Sequence, residues 1–90
     1  MPFRYPSARS DLEYHEREEG GDTVVFVRDP IRNLYFRYNI LQAAMLRALD
    51  GVRSYDEIVE KLSVEFEVDI PTQAAVQFVV TAKERLLLDI

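Results

Sequence analysis

The stretch TVVFVRDPIRNLYFRYNILQAAMLRALDG, residues 23–51, contains the change of period that decides the fold. Residues 23–28 are apolar on both faces, which suits a central strand, and residues 34–38 alternate as a strand does. A turn that contains a proline separates them, because proline lacks the N–H that a strand ladder needs. From Asn39, an N-cap residue type, apolar side chains recur at helical spacing, which predicts a helix over residues 40–50.

The residues on either side extend this pattern. Residues 11–17 alternate between apolar and polar, which predicts a first strand, followed by a turn over residues 18–22 that contains two glycines. Ser54 and Glu57 have the spacing of a capping box and predict a second helix over residues 55–66. A third helix is expected over about residues 71–87. The order βββααα predicts an α+β fold, a three-stranded antiparallel meander followed by three helices.

The chain has room for one domain. It is 90 residues long, and its first ten residues contain prolines and serines without apolar periodicity. We interpret residues 1–10 as a flexible N-terminal arm and residues 11–90 as the domain. No apolar run approaches the roughly 20 residues that span a bilayer, and the N-terminus lacks the apolar core of a signal peptide. The expectation is a cytoplasmic protein without a membrane partner of its own.

Composition argues against catalysis. There is no cysteine and one histidine, His15, so thiolate nucleophiles and zinc sites with several imidazoles are excluded. The carboxylates of Asp56, Glu57 and Glu60 fall in the first turns of a predicted helix, where they interact favourably with its dipole. No nucleophile, base and orienting group can be assembled from these residues. We expect no catalytic residues, no metal and no cofactor.

Charge is unevenly distributed along the chain. The net charge is −5, made up of −3 over residues 1–22, +3 over residues 23–53 and −5 over residues 54–90. The whole repels polyanions, whereas the middle third attracts an acidic segment. Nucleic acid is therefore not an expected partner.

Two features suggest a binding surface. The third strand is aromatic and carries no proline or lysine to prevent pairing with another chain. In the third helix, seven of the nine positions from 74 to 82 are apolar, more than one core-facing stripe needs. An edge covered by the N-terminal arm, and a helix buried on both sides, are the alternatives. An open edge beside an apolar helix would suit β-strand addition by a peptide.

The helical half resembles a known family. Tyr38-Asn39, the run LRALDGVRS (residues 46–54) and Glu57-Ile58 are similar to the pattern of the PqqD family, and KERLL at residues 83–87 also fits. The resemblance covers about residues 11–90. It implies a winged-helix-like module that recognises precursor peptides of ribosomally synthesised, modified peptide pathways.

The resemblance also implies a site and partners. A leader peptide would add as a fourth strand to the third strand, with its apolar side chains against the third helix. The element would carry no catalysis and would deliver the peptide to a maturation enzyme, such as a radical SAM enzyme or a peptidase. The residues implied are Leu34, Tyr35, Phe36, Arg37 and Tyr38 on the strand and Val76, Phe78, Val79, Val80 and Lys83 on the helix. Arg37 alternates with Phe36, so it is expected at the rim, where it could pair with an acidic residue of the peptide.

Other interpretations stay open. The stretches Asp29-Pro30 to Arg37 and Asp69 to Gln73 are closer to variants fused to the N-terminus of membrane zinc metallopeptidases. A winged helix-turn-helix DNA-binding protein is one alternative, although the third helix has no basic residue before Lys83. A module that forms a homodimer by pairing two third strands is another.

Overall fold

Three antiparallel strands precede three helices in the computed structural model, which describes residues 5–89. The strands, in the sheet order β1-β2-β3, are β1 (Glu13–Glu19), β2 (Asp22–Asp29) and β3 (Leu34–Asn39). The helices are α1 (Ile40–Ala48), α2 (Tyr55–Phe66) and α3 (Thr72–Glu84). The predicted α+β fold and its βββααα order are confirmed.

The first hairpin sets the register of the whole sheet. Gly20 and Gly21 have φ values of 58° and 88°, which side chains rarely allow, and they form a two-residue turn of the primed type. Glu19 therefore pairs with Asp22, and the register continues across the sheet. One face, the inner face, carries the side chains that meet the helices, and the other face is open. The inner residues of the register include Tyr14, Val25, Val27, Phe36 and Tyr38.

Reciprocal capping boxes begin the first two helices. Asn39 accepts a hydrogen bond from the backbone N–H of Gln42, whose side chain accepts one from the Asn39 N–H. Ser54 and Glu57 form the same pair at α2. Each pair satisfies two backbone donors that a helix start would leave free. Both predicted N-caps are confirmed.

Both α1 and α3 end earlier than expected. α1 ends at Ala48 rather than residue 50. α3 ends at Glu84 rather than near residue 87, because Leu86 adopts a left-handed φ of 58° and the Leu87 N–H bonds back to the Ala82 carbonyl. This turn buries Leu87 completely in the core.

The core lies between the inner face of the sheet and the helices. α1 packs against β2, β3 and both other helices, and α2 packs against α3. The largest fully buried apolar side chains are Val27, Leu46, Ile58, Leu62 and Leu87. No Cα atom of α3 lies within 8 Å of a Cα atom of β3. Buried side chains, Tyr38 and Phe78 among them, fill the space between β3 and α3.

The N-terminal segment, residues 5–9, lies against two loops. Tyr5 and Ala8 donate backbone hydrogen bonds to the Gly51 and Leu49 carbonyls, and Arg9 donates one to the Leu87 carbonyl. The first four residues of the expected flexible arm lie outside the described residues. Its described part is bonded to the loop after α1 and to the chain after α3, and it does not pair with β3.

Candidate functional site

One side of β3 has no strand partner among residues 5–89, and we call it the β3 edge. Hydrogen bonding alternates along antiparallel strands. Since Glu19 and Asp22 close the first hairpin as a bonded pair, the register directs the backbone groups of Leu34, Phe36 and Tyr38 toward β2. The N–H and C=O groups of Tyr35 and Arg37 consequently point outward. The β3 edge offers the pairing groups that an added strand needs.

The side chains of β3 fall on two faces, as alternation predicts. Leu34, Phe36 and Tyr38 lie on the inner face, where Leu34 is 43% exposed and Tyr38 only 5%. Tyr35 and Arg37 lie on the open face, and Tyr35 is 59% exposed. The Phe36 and Tyr38 rings can therefore meet the inner side chains of a strand added at the β3 edge.

An apolar groove runs between α1 and α3 on the same side as Tyr38. It has a volume of about 420 Å³, and we call it the α1/α3 groove. Its lining residues are Leu41, Gln42, Met45, Ile70, Ala74, Gln77, Phe78 and Thr81. The Phe78 ring lies 5.7 Å from the Tyr38 ring, centre to centre, so one lining side chain of the α1/α3 groove contacts the inner face of β3.

Only part of the predicted helical set faces this groove. Phe78 does, but Val79 is 8% exposed and belongs to the core. Val76 and Val80 lie two positions before and after Phe78, and Lys83 lies five positions after it. At 100° per residue, all three fall roughly opposite Phe78 on the helix. The structure does not bring these three side chains together with β3.

The groove residues Ala74, Gln77 and Thr81 were not among the predicted site residues. A usable signal was present, because Gln77 and Thr81 are polar residues four positions apart in an otherwise apolar helix. Two polar residues at that spacing indicate a helix face that lies outside the core. The apolar residues of α3 cover so wide an arc of the helix that this face was not recognised.

A buried ion cluster lies where β3 begins. The Asp29 side chain is fully buried and accepts hydrogen bonds from both terminal nitrogens of Arg9, from Arg32 Nε and from the Ile31 and Arg32 backbone N–H groups. The Arg9 guanidinium, followed by that of Arg32, holds the pKa of Asp29 well below its usual range. Asp29 and Asp11 in turn raise the pKa of Arg9. Because the Asp29 carboxylate is shielded from solvent and held by charged partners, the cluster has a structural role rather than a ligand-binding one.

The same arginines tie the cluster to the end of α3. Arg9 donates a 3.0 Å hydrogen bond to the Leu86 carbonyl, and Arg32 donates one to the Arg85 carbonyl. The cluster thus joins the turn that precedes β3 to the C-terminal end of α3. The spacing between the β3 edge and α3 depends on these bonds.

No family model, curated protein or solved structure matches this chain. The likeness to the PqqD family consequently stays a prediction from the quoted motifs.

The open face of the sheet is polar by comparison. A depression of about 440 Å³ there is lined by His15, Glu16, Arg17, Phe26 and Tyr35. The Arg17 guanidinium lies over the Phe26 ring at 5.3 Å, and Arg37 forms a 2.8 Å ion pair with Glu19. Arg37 therefore already has a carboxylate partner, at a position on the open face.

Groups for metal chemistry are not brought together in residues 5–89. No three side chains of His, Cys, Asp or Glu gather in that part of the chain. His15 is exposed and lies 3.6 Å from the Glu13 carboxylate. Within the same residues, no helix is both long and apolar enough to cross a membrane.

Proposed function

We propose that this protein is a non-catalytic peptide-binding module that captures a precursor leader peptide by β-strand addition and presents it to a partner maturation enzyme. The observation that carries the proposal is the β3 edge, which has no strand partner among residues 5–89. An added strand would receive backbone hydrogen bonds from Tyr35 and Arg37. Its inner side chains would lie against Phe36, Tyr38 and the α1/α3 groove.

The outward backbone groups of Tyr35 and Arg37 suit this mode of binding, because a strand that pairs with β3 would lie in the plane of the sheet about 4.8 Å away. Residues 5–9 bond to the loop after α1 and to the chain after α3, and these residues do not pair with β3. A single strand buries an interface at the small end of the usual range, so we expect affinities of about 0.1–10 μM.

The likeness of residues 38–58 to the PqqD family supports the leader peptide as the ligand. In the proposal, the partner enzyme supplies the chemistry and this module supplies recognition. The acidic balance of the chain, a net charge of −5, and the absence of basic residues from the first eleven positions of α3 count against duplex DNA as the ligand.

Peptide display combined with NMR tests the proposal. Random peptides of about 12 residues, twice a typical strand length, are selected against the protein and then titrated into the ¹⁵N-labelled domain. We expect the largest amide shifts at residues 34–39 and 74–81. Shifts confined to α2 or to β1, or a library that yields no binder, would contradict strand addition at β3.

The same sample separates peptide capture from dimerisation through β3. Sedimentation of the free protein should give the mass of one chain, 10.5 kDa, at concentrations where peptide binds. A stable dimer that peptide does not dissociate would instead assign the β3 edge to self-association.

A further inference from the structure

Arg85 carries a positive charge at the point where α3 ends beside β3. Its guanidinium carbon lies 5.1 Å from the ring centre of Phe36 and 5.3 Å from that of Tyr38. One terminal nitrogen donates a 2.9 Å hydrogen bond to the Tyr38 hydroxyl. Because both rings are on the inner face, the charge lies on the helix side of the β3 edge. Arg85 is itself exposed and can be reached from solvent.

Arg85 has no carboxylate within 4.0 Å among residues 5–89, although most arginines of that range have one. The paired arginines are Arg9, Arg28, Arg32, Arg37 and Arg53. Arg17 and Arg47 resemble Arg85 in lying over aromatic rings, but those rings belong to Phe26 on β2 and Tyr14 on β1 rather than to β3. A guanidinium has five N–H donors, and the Tyr38 hydroxyl uses one of those of Arg85.

A strand added at the β3 edge would place every second side chain on the inner face. Directly opposite residues of neighbouring strands have Cβ atoms about 4.5–5.5 Å apart. An inner side chain opposite Phe36 or Tyr38 would therefore lie within reach of the guanidinium that covers their rings. Further along the strand, the next inner positions would approach Phe78 and the apolar α1/α3 groove.

We infer that peptides bound at the β3 edge carry an acidic side chain that pairs with Arg85 and, two or four residues away, an apolar side chain that enters the α1/α3 groove. The inference rests on the proposed function and specifies its ligand class. A carboxylate matches the planar donors of a guanidinium and makes charge-assisted hydrogen bonds. The spacing of two or four follows from the alternation of side chains along a strand.

Peptide selection on two forms of the protein tests the inference. The random library is selected in parallel on the parent and on Arg85→Gln, and enriched sequences are compared. One selected acidic peptide is then measured by fluorescence anisotropy beside its Glu→Gln or Asp→Asn counterpart. Arg47→Gln is the matched control, since Arg47 also lies over a tyrosine ring, at 4.3 Å, without a carboxylate partner. Circular dichroism and amide spectra establish that each variant is folded.

We expect the parent to enrich acidic residues at the stated spacing from an apolar residue, and Arg85→Gln to lose that enrichment. Arg85→Gln should lower the affinity for the acidic peptide about tenfold. Its affinity for the amide counterpart should be nearly unchanged, since that peptide cannot form the ion pair. Arg85→Lys should restore part of the loss, and Arg47→Gln should cause none.

Two results would overturn the inference in distinguishable ways. If selected peptides shift residues 34–39 but show no acidic preference, or bind folded Arg85→Gln as tightly as the parent, Arg85 does not recognise the ligand and strand addition still stands. If selected peptides shift other residues, or none is selected, the proposed function fails and the inference fails with it.

Discussion

Arg9 donates hydrogen bonds of 2.9 and 3.0 Å to the two carboxylate oxygens of Asp29, whose side chain is fully buried. The pair connects the N-terminal segment to the turn before β3, and Arg32 adds a third charged contact. Such a buried carboxylate is stable only while its partners remain, because an unpaired buried charge is strongly unfavourable. The β3 edge and the end of α3 are both anchored on this cluster.

The Asp29 cluster makes stability depend on pH. Its hydrogen bonds from Arg9 lower the pKa of Asp29 below the value of about 3.9 that an unfolded aspartate has. A carboxylate with a depressed pKa stabilises the folded state above the unfolded pKa, and this contribution is lost as the pH falls through the interval between the two values. Thermal unfolding followed from about pH 7 to about pH 2 should therefore show a loss of stability that begins near pH 4 and continues to the acid end of the range.

The variant Asp29→Asn distinguishes the contribution of Asp29 to the pH dependence from that of the other carboxylates. The variant should melt at least about 10 °C below the parent at neutral pH and should show a weaker loss in acid. The remaining dependence comes from Asp11, Asp50 and Glu57, whose pKa values are also lowered by hydrogen bonds. If the melting temperatures of the parent and of Asp29→Asn fall equally across the acid range, the Asp29 cluster is not the source of the pH dependence.

The capping box at α2 contributes to stability and lies away from the β3 edge. Ser54→Ala removes the acceptor of the Glu57 N–H and should lower the free energy of unfolding by about 1 kcal/mol in urea titrations. Peptide affinity should stay within about twofold of the parent, because α2 does not line the α1/α3 groove. A large loss of affinity in folded Ser54→Ala would mean that the site extends to α2.

Substitutions at two adjacent residues of α3, Val80 and Thr81, distinguish its faces. Thr81→Glu places a carboxylate in the apolar α1/α3 groove and should lower the affinity for a selected peptide at least about tenfold. Val80→Glu adds the same charge on the other side of the helix, at a residue 47% exposed, and should change affinity less than about threefold. If Val80→Glu is the more damaging variant at equal stability, the peptide contacts the face that the sequence first indicated.

The order of elements was predictable from local signals. The change of period and the N-cap at Asn39, the capping box of Ser54 and Glu57, and the turn at the two glycines each act over a few residues, and each is confirmed. The same holds for the faces of β3, because alternation along a strand is a local property. These features required no knowledge of which elements meet in space.

The groove side of α3 and the Asp29 cluster depend on long-range contacts. Seven apolar positions in nine leave the orientation of α3 undetermined, so Val76 and Val80 were expected where Gln77 and Thr81 lie. Arg9 and Asp29 are twenty residues apart and belong to a supposed arm and a turn, where exposure is the usual expectation. Only the packed structure brings such groups together.

The most direct test of strand addition compares two variants of Tyr35, whose outward N–H would pair with the peptide. Tyr35→Ala removes the side chain and keeps the donor, whereas Tyr35→Pro also removes the donor and leaves the bonds to β2 intact. Anisotropy titrations with a selected, labelled peptide should give Tyr35→Pro an affinity at least about tenfold below that of Tyr35→Ala, with both proteins folded by circular dichroism. Equal affinities for the two folded variants would contradict strand addition at the β3 edge.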